Sequence, residues 1–435
     1  MTPGGAGLPP SSNAGEHRAA ALIGLPLRTG WNGAVVLAAF ALTPLMAYLG
    51  PLGFAALAAL AGLLLTPAWF RRREALPVLL VLAGLLVWAA GTVGWSAARP
   101  RAFADYGDVE NLTILKLTLQ LALYGAFAVA AMRLSGIAGE RAMRVLALGL
   151  VGLALVLVVE GLSGAALYQW LKATFEDPIR PDLAVRNVGQ GSVVLALLAW
   201  PALLYLRIRT PWAVFVLSFA ILVSSVLLRQ ASPAAGFLAG GVAAWLVGTW
   251  GKRGAWVVGG LLALQVLLTP WLVHSAEQAG LLARMRDVLP ASWEARLVIW
   301  PYVAERVLEH PGLGWGLDAS RTIGGPVPLH PHNASLQIWL ELGAVGAALI
   351  ALLWAWIFVG LGQVLERDKA GAAACAGAAS AYFTIGALSY GAWQEWWLAL
   401  AALTAAVCGV LLTARARSEM AEPPRALRGD GLTPL

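Results

Sequence analysis

Gly312-Leu-Gly-Trp-Gly-Leu-Asp-Ala-Ser-Arg321 and, after a short spacer, His330-Pro-His-Asn-Ala-Ser-Leu-Gln-Ile-Trp-Leu-Glu-Leu-Gly343 mark where a long polar loop runs into an apolar helix. Beyond Gly343 the chain is apolar to Gly362, and a bilayer crossing takes about 20 such residues. The same alternation of polar loop and long apolar run recurs along the sequence. Of its 435 residues, 59% are hydrophobic and 12% charged, and the mean hydropathy is +0.73. A soluble chain carries about twice that charged fraction. The fold class is therefore an all-α integral membrane protein.

Runs at 31–49, 52–70, 75–94, 111–132, 145–167, 188–206, 211–228, 234–250, 255–273, 334–362, 370–389 and 396–413 predict about twelve transmembrane helices. Basic clusters at Arg71 to Arg73, Arg133/Arg141/Arg144, Arg207/Arg209, Lys252/Arg253, Arg367/Lys369 and Arg415/Arg417 follow every second run and so fall on one side. The excess of Lys and Arg on cytoplasmic loops then orients the chain N-in and C-in. The expected organisation is a disordered cytoplasmic tail (1–30), nine spans with short loops (31–273), one long outer loop between helices nine and ten (274–333), three further spans (334–413) and a cytoplasmic tail (414–435). No charged n-region feeds an apolar core at the start, so no cleaved signal peptide is expected. The net charge of +7 is spread between apolar runs, which argues against nucleic acid as a partner and for membrane lipid. Cys375 and Cys408 lie inside apolar runs and read as small core residues.

The chemistry-bearing residues gather at the outer face. His332 sits where loop becomes helix, and imidazole is the usual general base near neutral pH. A lone histidine there would be an interfacial or capping residue; the company of His330, Asn333, Trp339 and Glu341 favours a functional one. His330 and His332 have no third ligand at metal spacing, so no metal is expected. Arg186, Arg229, Arg296 and Arg321 form a second group. Guanidinium binds phosphate oxygens through paired hydrogen bonds, and arginines held outside against the orientation bias suit an anionic ligand better than topology. For each alone, pairing with head groups or acidic neighbours is the alternative. Glu341 lies nine residues past His332, roughly two and a half helical turns. A bundle partner is expected for it rather than direct contact with His332. Trp393-Gln-Glu-Trp-Trp397 reads as an interfacial aromatic belt. Asn333-Ala-Ser335 and Asn111-Leu-Thr113 fit a short glycosylation pattern and carry no weight.

Across residues 75–410 the chain resembles the O-antigen ligase and polymerase superfamily of bacterial envelope proteins. The resemblance is carried by Arg186, by Arg296-Leu-Val-Ile-Trp300 and by His310-Pro-Gly-Leu-Gly-Trp-Gly316. His332-Asn-Ala-Ser-Leu-Gln337 with Glu341-Leu-Gly343 carries it further, as do Trp393-Gln394 and Trp396-Trp397. It implies a glycosyltransferase of the inner membrane with its site on the periplasmic face. Such an enzyme takes glycan from an undecaprenyl diphosphate carrier to a sugar hydroxyl of lipid A–core. It uses no metal, nucleotide or other cofactor. The family histidine matches His332 as the base; the diphosphate-holding arginines match Arg186 most clearly, then Arg296 and Arg321. Trp300, Gln337, His330, Asn333 and Glu341 would support them. Many members have a Ser-Arg pair at the start of the eighth span, where this chain has Arg229-Gln-Ala-Ser-Pro233; Arg229 is carried over from a shifted position. The 274–333 loop is expected to form a short-helix lid over a cleft open laterally to lipid. The resemblance leaves open an O-antigen or exopolysaccharide polymerase, and a protein O-oligosaccharyltransferase. Outside that superfamily, a small-anion transporter would place its polar groups at mid-membrane on broken helices.

Overall fold

The computed structural model describes residues 30–65, 76–101, 112–134, 136–289 and 293–421. Their regular elements are all helical. In chain order these are α1 (Trp31–Leu49), α2 (Gly53–Leu65), α3 (Leu76–Thr92), α4 (Thr113–Ala131), α5 (Gly136–Ser163), the short α6 (Ala166–Phe175), α7 (Pro181–Arg209), α8 (Pro211–Leu227), α9 (Ala231–Trp250), α10 (Lys252–Gln278), the short α11 (Leu281–Arg286), α12 (Glu294–Glu309), α13 (Ala334–Val364), α14 (Lys369–Ser389) and α15 (Glu395–Ala421). Among the described residues, nine helices are long and apolar enough to cross a membrane, and α2, α3 and α8 are shorter apolar helices. Each expected span thus has its apolar helix. The expected tails lie mostly outside the described residues, but α15 runs to Ala421, beyond the predicted end at 413.

Two boundaries move in ways that matter for the site. Pro181 and Asp182 in the first turn start α7 early, because proline is pre-set for that position and an acid there favours the helix dipole. Arg186 therefore projects from a helix, not from a loop. The stretch 274–333, expected as a long outer loop, is likewise structured by the end of α10, by α11, by α12 and by a 3-10 turn at Ala319–Arg321.

The larger departure is in α13. It is broken at Gly343, whose φ of 62° and ψ of −159° lie in a region open essentially to glycine. Residues 344–364 make about 31 Å of helix at 1.5 Å per residue, one hydrocarbon thickness; residues 334–342 are a separate short helix above it. Backbone groups freed by a break must find partners when buried. Here Trp315 N–H donates to Leu340 O (2.7 Å), Gly316 N–H to Glu341 O (3.0 Å), and Ala344 N–H to Pro311 O (2.8 Å). Trp88 Nε1 donates to Leu342 O (2.9 Å). The Pro311–Gly316 stretch is the plug for this break. Gly314 and Gly316 let backbone meet backbone: a Cβ on them would stand 2.6 Å from Gly343 N and 2.7 Å from Thr92 O, respectively.

Proline-freed carbonyls are handled the same way. Pro301 inside α12 cannot donate to Leu297 O, and Arg286 Nη2 of α11 takes that carbonyl (3.2 Å). Pro270 inside α10 frees Val266 O, which accepts from Trp339 Nε1 (2.8 Å). The two loop helices are thereby tied to each other, and α13 to α10. One large apolar core joins α1, α2, α4, α5, α7, α8 and α15. A second joins α3, α10, α12 and α13 under the outer loop. The site lies where the two meet.

Candidate active site

Asn333 opens α13 by accepting Leu336 N–H on Oδ1 (3.0 Å) and is itself buried at 4% exposure; capping is its role. His332, immediately before it, has φ 53°. The left-handed backbone turns the histidine pair away from the helix axis. Trp300 Nε1 of α12 pins the preceding residue by donating to Pro331 O (3.0 Å). The His330 and His332 rings lie 4.4 Å apart between centroids.

His332 Nδ1 lies 3.1 Å from the carbonyl oxygen of Ser389 at the end of α14. A carbonyl only accepts, so Nδ1 carries the proton and the lone pair is left on Nε2. Burial lowers the His332 pKa below its ordinary value; the Ser389 bond opposes that, and the charges of Arg296 and Arg186 add to it. The ring is thus neutral at pH 7, with an acceptor nitrogen available. His330 is pushed down to about 4, first by burial, then by His332 and Arg321. Its Nδ1 faces His332 N–H at 3.2 Å and its Nε2 lies 3.1 Å from the Gln394 amide.

Three of the four arginines read from sequence bear electrostatically on this pair: Arg186 from α7 and Arg296 from α12 on His332, and Arg321 from the 3-10 turn on His330. Arg296 lies with its guanidinium 5.2 Å from the Trp293 ring centre. Its own pKa is lowered by burial, with the Tyr390 phenol opposing and Arg186 adding to the effect. Arg321 is 3.5 Å from Asp318 Oδ1. Arg229 stands apart. It occupies a left-handed turn, φ 57°, between α8 and α9. Among the described residues, none of the interactions that join the other three to the histidines reaches it. Its neighbour Gln230 packs against Gly189 on α7, one turn beyond Arg186.

Glu341 is fully buried and faces away from His332. Its Oε1 accepts Gln337 Nε2 (3.0 Å). Its Oε2 accepts Trp393 Nε1 (2.7 Å) and Asp318 N–H (3.0 Å). Gln337 Oε1 in turn accepts Ala392 N–H (2.8 Å). The expected aromatic belt is corrected here. Trp396 and Trp397 are only 7% and 2% exposed, in a ring cluster with Tyr382 and Tyr390, and Trp393 is spent on Glu341. The turn 389–394 is a wall of the site.

No sequence motif pointed to Ser389, Tyr390 or Gly391. Ser389 acts through its backbone, which no side-chain pattern reports. A Cβ on Gly391 would stand 2.7 Å from Gln337 Oε1 and 2.9 Å from His330 Cγ; a glycine directly before the Trp393 cluster was the available signal. Among the described residues, no group of three His, Cys, Asp or Glu converges to hold a metal.

The chain matches no family model and no solved structure. It is similar to curated proteins of Rickettsia named putative polysaccharide ligases. The one from Rickettsia conorii is 34% identical over 147 residues, which cover 30% of this chain and 35% of that protein. The Rickettsia typhi protein is 35% identical over 121 residues, covering 24% and 28%. The Rickettsia bellii protein is 32% identical over 148 residues, covering 31% and 35%. The matched stretch is about a third of the relatives' own length. By these matches about a third of the chain is similar to proteins named putative polysaccharide ligases, consistent with the O-antigen ligase-type superfamily that its motifs resemble.

Proposed function

We propose that this chain is a polysaccharide ligase-type glycosyltransferase. It would move glycan from undecaprenyl diphosphate to a sugar hydroxyl of lipid A–core at the periplasmic face of a bacterial inner membrane. Among the described residues, nine helices long and apolar enough to cross a membrane support a multi-pass membrane enzyme; twelve spans with both termini inside belong to this reading. The relatives' names support the ligase class. The observation that carries the chemistry is the His332 Nδ1 contact with Ser389 O, beside the charges of Arg186 and Arg296.

In this reading His332 Nε2 takes the proton of the acceptor hydroxyl as its oxygen attacks the anomeric carbon. The bond from that carbon to the diphosphate oxygen breaks, and undecaprenyl diphosphate leaves with the electron pair. Inversion at the anomeric carbon follows from the single displacement. Arg186, Arg296 and Arg321 would hold the diphosphate and offset the charge that builds on its leaving oxygen, a use of fixed cations that is strongest away from bulk water. Arg229, one turn of packing from Arg186, would meet the donor at its edge. Diphosphate is a good leaving group once its charge is met, so a base and cations suffice without metal or cofactor.

The helix break at Gly343 bears on the anion-transporter alternative. Transport sites on broken helices use the freed backbone groups to hold the ion; here those groups are bonded to the Pro311–Gly316 plug. The test is a deletion strain complemented with the wild-type chain or His332→Ala at equal membrane level, with envelope glycans resolved on a gel. Wild type restoring long glycan on lipid A–core, with His332→Ala failing, supports the ligase. Full complementation by His332→Ala refutes the mechanism. Cores capped with a single repeat indicate a polymerase.

A further inference from the structure

We propose that Glu341, acting with Gln337, is the positioning residue that assembles this site: one buried carboxylate ties the loop carrying Arg321 and the turn carrying Ser389 to the helix that follows His332. The inference rests on the proposed glycan transfer. Three segments distant in sequence meet at this side chain. Asp318 N–H donates to it from the loop, three residues before Arg321. Trp393 Nε1 donates from the 389–394 turn, and Gln337 Nε2 from its own helix one turn earlier. Gln337 then holds Ala392 N–H of the same turn. The turn so fixed presents Ser389 O to His332 Nδ1 and the Gln394 amide to His330. Glu341 touches no reacting atom in this arrangement. It sets where the base and one cation stand.

The network has a fixed donor-to-acceptor sense, which makes the inference sharp. Ala392 N–H can only donate, so Gln337 must present Oε1 to it and Nε2 to Glu341. Of the other groups that hydrogen-bond Glu341, the Trp393 indole and the Asp318 amide cannot become acceptors; the Ser320 hydroxyl is the one neighbour that can turn, and it donates to Leu329 O (3.0 Å). Glu341→Gln is nearly isosteric, yet its NH2 must face a donor in either orientation: Gln337 Nε2 on one side, Trp393 Nε1 and Asp318 N–H on the other. A buried donor facing a donor leaves both unsatisfied. Exchanging the two residues removes the conflict. In Gln337→Glu/Glu341→Gln, the new carboxylate accepts Ala392 N–H and the new amide, while the amide oxygen accepts Trp393 Nε1 and Asp318 N–H. Charge and composition are unchanged.

The test uses the full chain in nanodiscs with an undecaprenyl-diphosphate-linked glycan donor and a lipid A–core acceptor. Transfer rates are measured from pH 5 to 9 for wild type, Glu341→Gln, the exchanged pair and His332→Ala. Histidine-labelled protein gives the ring tautomers by nitrogen NMR, without reference to activity. Glu341→Gln is expected to lower kcat at least tenfold and to lose the Nδ1-protonated signature of His332. Its acid limb should move to lower pH, because the Ser389 acceptor favours the protonated ring. The exchanged pair should recover to within about threefold of wild type, with tautomer and limb restored; this holds as a test even if the single variant folds poorly. Glu341→Gln within twofold of wild type with an unchanged tautomer overturns the inference. So does an exchanged pair that folds but stays as impaired as the single variant. Transfer surviving in His332→Ala sinks the underlying mechanism instead, and the tautomer spectra still decide the role of Glu341.

Discussion

Gly343→Ala perturbs the point where α13 breaks, and its cost can be worked from the structure. Alanine at φ 62° and ψ −159° carries a backbone strain of about 1–3 kcal/mol. Its Cβ would stand 2.4 Å from Gly312 O, 2.6 Å from Gly314 N and 2.7 Å from Gly312 C. All three are backbone atoms and cannot swing aside as a side chain would, so the Pro311–Gly316 plug must shift. That weakens the bonds from Trp315 N–H, Gly316 N–H and Ala344 N–H, each worth about 1 kcal/mol net. With all three bonds lost the sum is about 4–6 kcal/mol, a large share of a typical folding stability. The internal control is Gly360→Ala in the same helix, where a Cβ meets nothing within 4 Å; removing a helical glycine there should be neutral or stabilise by up to ~1 kcal/mol. Thermal unfolding of both variants in detergent, with glycan transfer measured alongside, is the assay. Gly343→Ala should melt well below wild type and lose transfer, and Gly360→Ala should do neither. If Gly343→Ala keeps the wild-type midpoint and transfer within twofold, the break is not the keystone of the outer region.

Four further outcomes follow from the charges. Because the His332 pKa is held below its ordinary 6.5, the acid limb of glycan transfer should have its half-maximal point below pH 6.5. A half-maximal rate at or above 6.5 counts against His332 as the base. Folding stability should also fall as pH drops from about 6.5 toward 4. His330 titrates at about 4 in the fold against 6.5 outside it, so the unfolded chain binds the proton first. Arg415→Gln should cost about 1–3 kcal/mol, discounted for the partial exposure of Arg415. It strips two bonds (2.6 and 3.0 Å) from Asp368, the capping residue of α14; unfolding midpoints of this variant and of Asp368→Asn/Arg415→Gln measure it, and equal losses in both would refute the unpaired-charge explanation. Finally, Arg296→Lys should reduce transfer at least tenfold while leaving the midpoint near wild type, because a single ammonium cannot make the paired contacts of a guanidinium; steady-state kinetics with donor varied would show it, and wild-type kcat/KM would exclude Arg296 from the clamp.

Hydropathy alone located every apolar helix described here, because a bilayer demands long uninterrupted apolar runs and leaves no room for ambiguity of period. His332, Arg186, Arg296 and Arg321 were also legible, since charged and titratable groups are scarce in such a chain and each one stands out. What the linear pattern could not carry was partnership. Trp393 and Trp397 look alike in sequence; one ends on a buried carboxylate and the other in the apolar core, because only folding brings α13, α14 and α15 together at that level. Gly343 sits inside a run that reads as one continuous span, and its break depends on Pro311–Gly316 arriving to take the freed amides and carbonyls. Ser389 contributes a backbone oxygen that every residue possesses, so nothing in its identity announces that it sets the tautomer of a histidine 57 positions away. The sequence by itself determined where the chain is apolar and which ionisable groups it carries, both local properties. The tertiary structure decided which of those groups share a hydrogen bond, since that depends on segments far apart along the chain meeting within about 3 Å.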